Sequence, residues 1–228
     1  MEYSESDKVI EVFDGAVSTL VIRHAQRSFA FEVTLDLTKG AELFKQKPPM
    51  HFHANQDEYI QACQGDIVLE LEGREIVLSP GSQEYRIPAW ANHRSYPLPL
   101  SLQAGQTSQV KFWLSGAKTP ERLQLSTPFF ENWYRYQESV LTTGKTFSLI
   151  QILSTFDAGG TYLPFPAWVP FGRRISQALG IVCGRWLGGL LGYQPFYREW
   201  SSDWDLACQQ MRSSIFQRRF AKPANPDA

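Results

Sequence analysis

Between Lys8 and Ser115 the chain repeats one pattern about eight times: a short run of β-forming residues closed by a turn signal. The runs are Val9–Phe13, Val17–Ile22, Phe29–Leu37, Asp57–Cys63, Ile67–Leu71, Glu75–Leu78, Glu84–Ile87 and Val110–Leu114. Their branched and aromatic residues, alternating or continuous, suit a pleated surface with one face buried. Asp14-Gly15, Lys39-Gly40, Gln64-Gly65-Asp66, Glu72-Gly73 and Ser79-Pro80-Gly81 punctuate them. Many short strands at this spacing close into a sandwich or barrel, and the jelly roll is one such solution.

Past Thr119 the rhythm changes. Thr127-Pro128 reads as an N-cap with proline at the first helical position, opening a helix over Phe129–Leu141. A second helix is predicted over Phe147–Phe156, ending near Gly159-Gly160. Leu163–Pro170 is too rich in proline for regular helix, and Phe171–Tyr193 resumes helical periodicity. The tail beyond Lys222 is expected to fray. The chain therefore divides into a β-barrel over residues 1–118 and a C-terminal α-helical extension over residues 119–228, which packs on the barrel or on a partner.

The helix after Pro170 carries two distinct faces. Gly180, Gly184, Gly188 and Gly192 recur every fourth residue, a stripe that allows close approach of another helix. Phe171, Ile175, Leu179, Val182, Trp186 and Leu190 form an apolar stripe beside it. Arg185 interrupts a segment already too short for a transmembrane span of about 20 residues. Three roles are open at this stage: packing on the barrel, a homodimer contact, or peripheral membrane contact through residues 170–200.

Chemistry is concentrated in HFHANQDE. His51 and His53 alternate on one strand, so both imidazoles face one side, with Cα atoms about 7 Å apart. Ala54–Asp57 can reverse the chain and return Glu58 on the neighbouring strand. His93, in RIPAWANH, supplies a fourth candidate ligand. Three nitrogens and one carboxylate suit a divalent transition metal and leave positions open on a six-coordinate ion, as a catalytic site requires. Glu84 and Tyr85 lie on a strand near these ligands and are candidates for an acid–base group. Tyr59 and Gln61 alternate with Glu58 and are expected to face outward. His24, in RHAQR, reads as a solvated turn residue.

Composition narrows the rest. A net charge of −1 supplies no long-range field for nucleic acid. Seven tryptophans favour a deep apolar core or pocket for an apolar or aromatic small molecule. Cys63, Cys183 and Cys208 have no CxxC pair and read as buried reduced thiols of an intracellular, cytoplasmic protein. The N-terminal MEYSESDKVIEVFDG has no apolar core of a secretory signal. No GxSxG, HExxH or Walker A sequence occurs.

His51, His53, Glu58 and Gly65 match the anchors of the first motif of the cupin superfamily, which the chain resembles. In the second motif Pro88 and His93 hold their places, and Trp90 stands where glycine is usual. Lys45 replaces a glycine common six residues before the first histidine, with Pro48-Pro49 nearby. ENWYRYQ, WVPFGRR and GRWLGGLLGYQPFYREW resemble the C-terminal part of small, often fungal, single-domain cupin oxidoreductases. The resemblance implies a jelly-roll barrel, a metal on His51, His53, Glu58 and His93, and a role in polyketide-derived secondary metabolism. Iron leads among the metals it implies, with manganese, zinc, nickel and copper also accommodated. The implied activity is an oxidoreductase of the oxygenase type; a redox-neutral isomerase or cyclase, or a non-catalytic binding protein, are the alternatives.

Overall fold

The computed structural model describes residues 4–103 and 107–222, in two compact units. One holds the residues up to Phe52 together with Gln56–Lys118; the other holds His53–Asn55 and the residues from Thr119 on. The tail expected to fray lies outside the described residues.

The first unit is mainly antiparallel β-structure. A six-stranded sheet runs in the order β1-β2-β3-β10-β5-β8, from Ser4–Val12, Val17–Arg23, Arg27–Asp36, Gln109–Ala117, Glu58–Gln64 and Tyr85–Ile87. A second sheet runs β7-β6-β9, from Arg74–Leu78, Ile67–Leu71 and His93–Pro97. Strands consecutive in sequence pass between the two sheets, which makes this a jelly roll with a C-terminal helical part in the other unit.

Alternation sets the core face. Phe31, Val33 and Leu35 of β3 and Val110, Phe112 and Leu114 of β10 are all buried. Along β5 the buried residues are Glu58, Ile60 and Ala62, so a one-residue slip would expel the Glu58 carboxylate from the interior. Tyr59 and Gln61 take the other face, as their alternation predicts: the Arg27 guanidinium lies 3.5 Å from the Tyr59 ring centroid, and Gln61 donates to the Ser82 carbonyl. The turn from β5 to β6 pivots on Gly65, whose φ of 67° no side chain adopts comfortably. A Cβ there would also stand 3.0 Å from both Gln103 Oε1 and Val110 Cγ2.

One strand escaped the sequence pattern. His93–Pro97 has no apolar alternation, yet it pairs with β6 in the register Leu71↔His93 and Glu70↔Arg94. Two bonds of 2.8 Å from Arg94 to Glu70 fix that register, because a carboxylate accepts a guanidinium fork in one alignment.

In the second unit, α1 covers Thr127–Thr143 and α2 covers Leu149–Ala158. The cap of α1 is Ser126 rather than Thr127: the Ser126 hydroxyl accepts from the Phe129 amide, and Pro128 sits at the second helical position. Gly144 ends α1 in the left-handed conformation, and Ser148 caps α2. The short strand β11 (Thr161–Tyr162) follows α2. Past the proline-rich break, α3 (Gly172–Leu179) runs into π-helical turns over Gly180–Gly188 and a final turn, α4 (Gly189–Leu191). A further helix, α5 (Trp204–Arg212), is capped by Asp203.

The glycine stripe meets α2 of the same unit. A Cβ on Gly184 would collide with the Leu153 carbonyl, one on Gly188 would come within 3.2 Å of Ile150, and one on Gly180 within 2.6 Å of the Tyr162 ring. Beneath this contact Arg185 donates to Asp157 through Nε at 2.6 Å and a terminal nitrogen at 2.9 Å, and the Tyr162 hydroxyl donates to the same carboxylate at 3.1 Å. Asp157 is fully buried. Burial pushes its carboxyl upward against the pull of Arg185 and Tyr162, and burial beside that carboxylate raises the Tyr162 phenol well above its usual range.

Among the described residues no helix is long and apolar enough to cross a membrane. The three cysteines are free thiols; Cys208 is buried, whereas Cys63 and Cys183 are half-buried rather than buried.

Candidate metal centre

Local chain geometry assembles the histidines. His51 bridges His93 through reciprocal backbone bonds, its amide donating to the His93 carbonyl at 3.0 Å and the His93 amide donating back at 2.8 Å. His53 follows two residues on, in β4 (Phe52–His53), and alternation turns its ring to the side of His51. One nitrogen from each of His51, His53 and His93 can be chosen so that all lie within 4.8 Å of one another. His53 and His93 are buried, and His51 is half-buried.

The tautomers favour a metal. His51 Nδ1 lies 3.0 Å from the Pro49 carbonyl and His93 Nδ1 lies 2.9 Å from the Ala91 carbonyl. A carbonyl only accepts, so each Nδ1 carries the proton and each Nε2 keeps its lone pair. His53 Nδ1 is 3.0 Å from the Thr161 hydroxyl, which can take the same role. Holding the far ring nitrogen in this way is what orients a metal-ligating imidazole. Metal–nitrogen bonds of about 2.0–2.1 Å put two ligand atoms at most about 4.2 Å apart, a contraction that small side-chain torsions supply. The donor set fits a divalent transition metal.

Glu58 arrives by a different route from the one its spacing predicts. Its strand, β5, pairs with β10 and β8 and not with the histidine strand; His53 and its neighbours pair instead with β11. The reason lies in Asp57, which accepts from Arg86 at 2.8 Å and from the Ala89 amide at 2.8 Å and so ties the start of β5 to β8. The carboxylate still reaches the centre, with Glu58 Oε2 at 3.1 Å from His93 Nε2. The carboxylate thus sets negative charge beside the His93 nitrogen that would hold a metal ion.

Trp90 fills the usual glycine position and keeps the glycine conformation. The Ala91 amide donates to the Pro88 carbonyl, closing a four-residue turn whose third residue is Trp90 at φ 70°. A positive φ there is what a type II turn demands, and for a bulky residue it costs about 1–3 kcal/mol. Its ring stacks on Phe52, with centroids 5.4 Å apart and planes 26° apart. Phe52 is fully buried and lies between the two histidines of the strand, so this stack holds the residue that separates His51 from His53.

The remaining candidates fall on two faces. Glu84 is exposed and ion-paired to Arg27 at 2.7 Å. Tyr85 is half-buried and pairs with Ile60, on the face that also carries Ile87 and Glu58. His24 sits in a turn, where its Nδ1 accepts from the Gln26 amide. Thr161 was not legible, since it lies 108 residues from His53 in sequence. Thr161→Val is expected to lower metal affinity roughly 10–100-fold while Thr161→Ser restores it. Chelator competition with zinc or cobalt measures this, and an unchanged affinity in the valine variant would remove Thr161 from the site.

Three clustered imidazoles, with a buried carboxylate beside one of them, in a jelly roll make this chain a cupin. No family model matches the sequence. The probable oxidoreductase yanE of Aspergillus niger is 39% identical over 225 residues, covering 96% of this chain and 86% of the relative. The epoxidase atD of Aspergillus terreus is 40% identical over 172 residues, covering 75% of this chain and 52% of the relative. Among solved structures, an RmlC-like cupin family protein with a double-stranded β-helix fold from Methanocaldococcus jannaschii matches 54% of this chain and 94% of its own, at 11% identity and a TM-score of 0.34. The chain belongs to the family of fungal cupin oxidoreductases that yanE represents.

Proposed function

We propose that this protein is a metal-dependent oxygenase acting on a polyketide-derived small molecule in secondary metabolism. The observation that carries the reading is the set of three imidazoles whose Nδ1 atoms lie beside the Pro49 and Ala91 carbonyls and the Thr161 hydroxyl, and which each bring a ring nitrogen within 4.8 Å of the others. Relatives described as oxidoreductases, one of them an epoxidase, support the redox assignment. A bound divalent metal, iron foremost, would supply Lewis acidity and one-electron reactivity toward dioxygen.

The chain's own residues do the rest. His51, His53 and His93 would hold the ion, with Glu58 beside His93 as the fourth ligand and the source of negative charge. Half-buried His51 marks the accessible side of the cluster, while buried His53 and His93 exclude water from the other. Tyr85 shares the Glu58 face and is the phenol placed to hold a substrate oxygen or move a proton.

The test is anaerobic metal analysis of the purified protein followed by oxygen uptake with candidate polyketide aldehydes and alcohols. Metal-dependent oxygen consumption coupled to product is the expected result. Uptake without external electrons fits either insertion of both oxygen atoms or dehydrogenation of the substrate with release of hydrogen peroxide, which isotopically labelled dioxygen separates, whereas a monooxygenase needs two electrons from a reductant. Conversion to an isomer without oxygen would replace this reading with a redox-neutral isomerase or cyclase.

A further inference from the structure

The helix that follows the proline-rich break is inverted relative to an ordinary surface helix. Gly184 and Gly188 face inward on α2 and Gly180 on the Tyr162 ring, which leaves the large side chains no interior to enter. Phe171, Ile175, Leu179, Val182, Trp186 and Leu190 are all exposed, and so is Trp168 just before them. Trp168 and Phe171 are 81% and 84% exposed, values ordinarily reserved for charged residues. At the far end Arg219 donates to the Leu190 carbonyl at 3.0 Å, bringing up exposed Ile215 and Phe216 and lengthening the patch. A contiguous apolar surface of this extent marks an interaction site.

Charge selects the occupant. From Ala158 to Arg198 the sequence contains no aspartate or glutamate, and Asp157 before it is buried and paired with Arg185. Arg174 is exposed and Arg173 half-buried at one end of the patch; Arg212, Arg218 and Arg219 are exposed at the other. An apolar strip with tryptophan and phenylalanine along its length and arginines at both ends is complementary to an anionic bilayer surface. Rings and aliphatic chains enter the acyl boundary while the guanidiniums stay at the phosphates. A second copy of the chain on this face would bring arginines against arginines, since a twofold contact lays one end of the strip on the other and both ends carry them. The segment cannot span a bilayer, so the contact is one of lying on the surface.

We propose that the outer face of residues 165–191, with Ile215 and Phe216, docks the protein on the surface of an anionic phospholipid membrane. The experiment is cosedimentation of the full chain with vesicles of phosphatidylcholine alone and with about a third phosphatidylserine. Anionic vesicles should bind at least about tenfold better than neutral ones, and added salt should weaken binding. Arg173→Gln/Arg174→Gln should cost about fivefold per arginine, and Leu179→Ser/Trp186→Ser roughly a hundredfold. Leu179 and Trp186 are exposed, and an unchanged melting temperature verifies the fold of each variant. Quenching of wild-type tryptophan fluorescence by brominated lipid gives an independent reading of insertion. Absence of binding to anionic vesicles, or equal binding by wild type and both variants, overturns the proposal. So does a concentration-dependent dimer that Leu179→Ser/Trp186→Ser dissolves without any vesicle binding, which would make the face a self-contact.

Discussion

Alanine at His53 is expected to leave the purified protein with less than about a tenth of an equivalent of bound metal and an unchanged far-ultraviolet circular dichroism spectrum. The barrel is held by strand burial around Phe31, Ile60 and Phe112, none of which depends on the ion, so occupancy falls further than stability. The series His51→Ala, His53→Ala and His93→Ala should not be uniform. Loss of His51 removes a half-buried imidazole, whereas loss of His53 or His93 removes a buried one. Truncating a buried side chain leaves a cavity, so His53→Ala and His93→Ala should also melt somewhat earlier than His51→Ala. Glu58→Gln should weaken metal binding less than any histidine loss, because an amide oxygen still coordinates. Stoichiometric metal in the triple histidine variant would sink the assignment.

Arg185→Met should give the largest loss of stability away from the metal centre. It leaves Asp157, fully buried, with only the Tyr162 hydroxyl. Breaking a buried ion pair costs about 3–5 kcal/mol; because Arg185 is partly exposed, the lower end applies. The deficit depends on pH. Without Arg185 the Asp157 carboxyl is raised further in the folded state than in the unfolded chain. Such a group contributes no penalty below its unfolded pKa and an increasing one as pH rises through its folded pKa. The variant should therefore approach wild type in mildly acidic buffer and fall away toward neutral pH, as read by urea midpoints across that range. A pH-independent difference between the two proteins would show that Asp157 does not carry the effect. Arg185→Met/Asp157→Leu should recover much of the loss.

What the sequence revealed follows from how local each signal is. Eight strands were legible because turn residues bracket them. His93–Pro97 and the two-residue Thr161–Tyr162 were not, because the identity of each lies in its pairing, with Glu70 and Leu71 for the first and with the histidine strand for the second, and not in its own composition. The histidine triad was legible because two of its members alternate on one strand. Glu58 was found, yet its strand was placed beside the wrong neighbour, since the tie from Asp57 to Arg86 and Ala89 is a tertiary event. The helix Trp204–Arg212 has its signals in the sequence, with Asp203 at the cap and Trp204, Ala207, Cys208 and Met211 at helical spacing. The two faces of Phe171–Tyr193 were both read, but which one turns inward is decided by α2 and lies beyond any single-helix pattern.

The turn at Trp90 has a consequence for how this site can vary. Glycine relaxes the backbone there and forfeits the stack on Phe52; tryptophan keeps the stack and bears the strain. Most other residues would bear the strain with no stack to offset it, so positions 52 and 90 form a coupled pair with two separated solutions. A tryptophan codon is a single base change from a glycine codon, so the two lie one genetic step apart. That step should be tolerated most readily where the residue at position 52 is small enough not to miss its aromatic lid. Shape at the metal strand would then drift by paired exchange, while the ligands themselves stay in place.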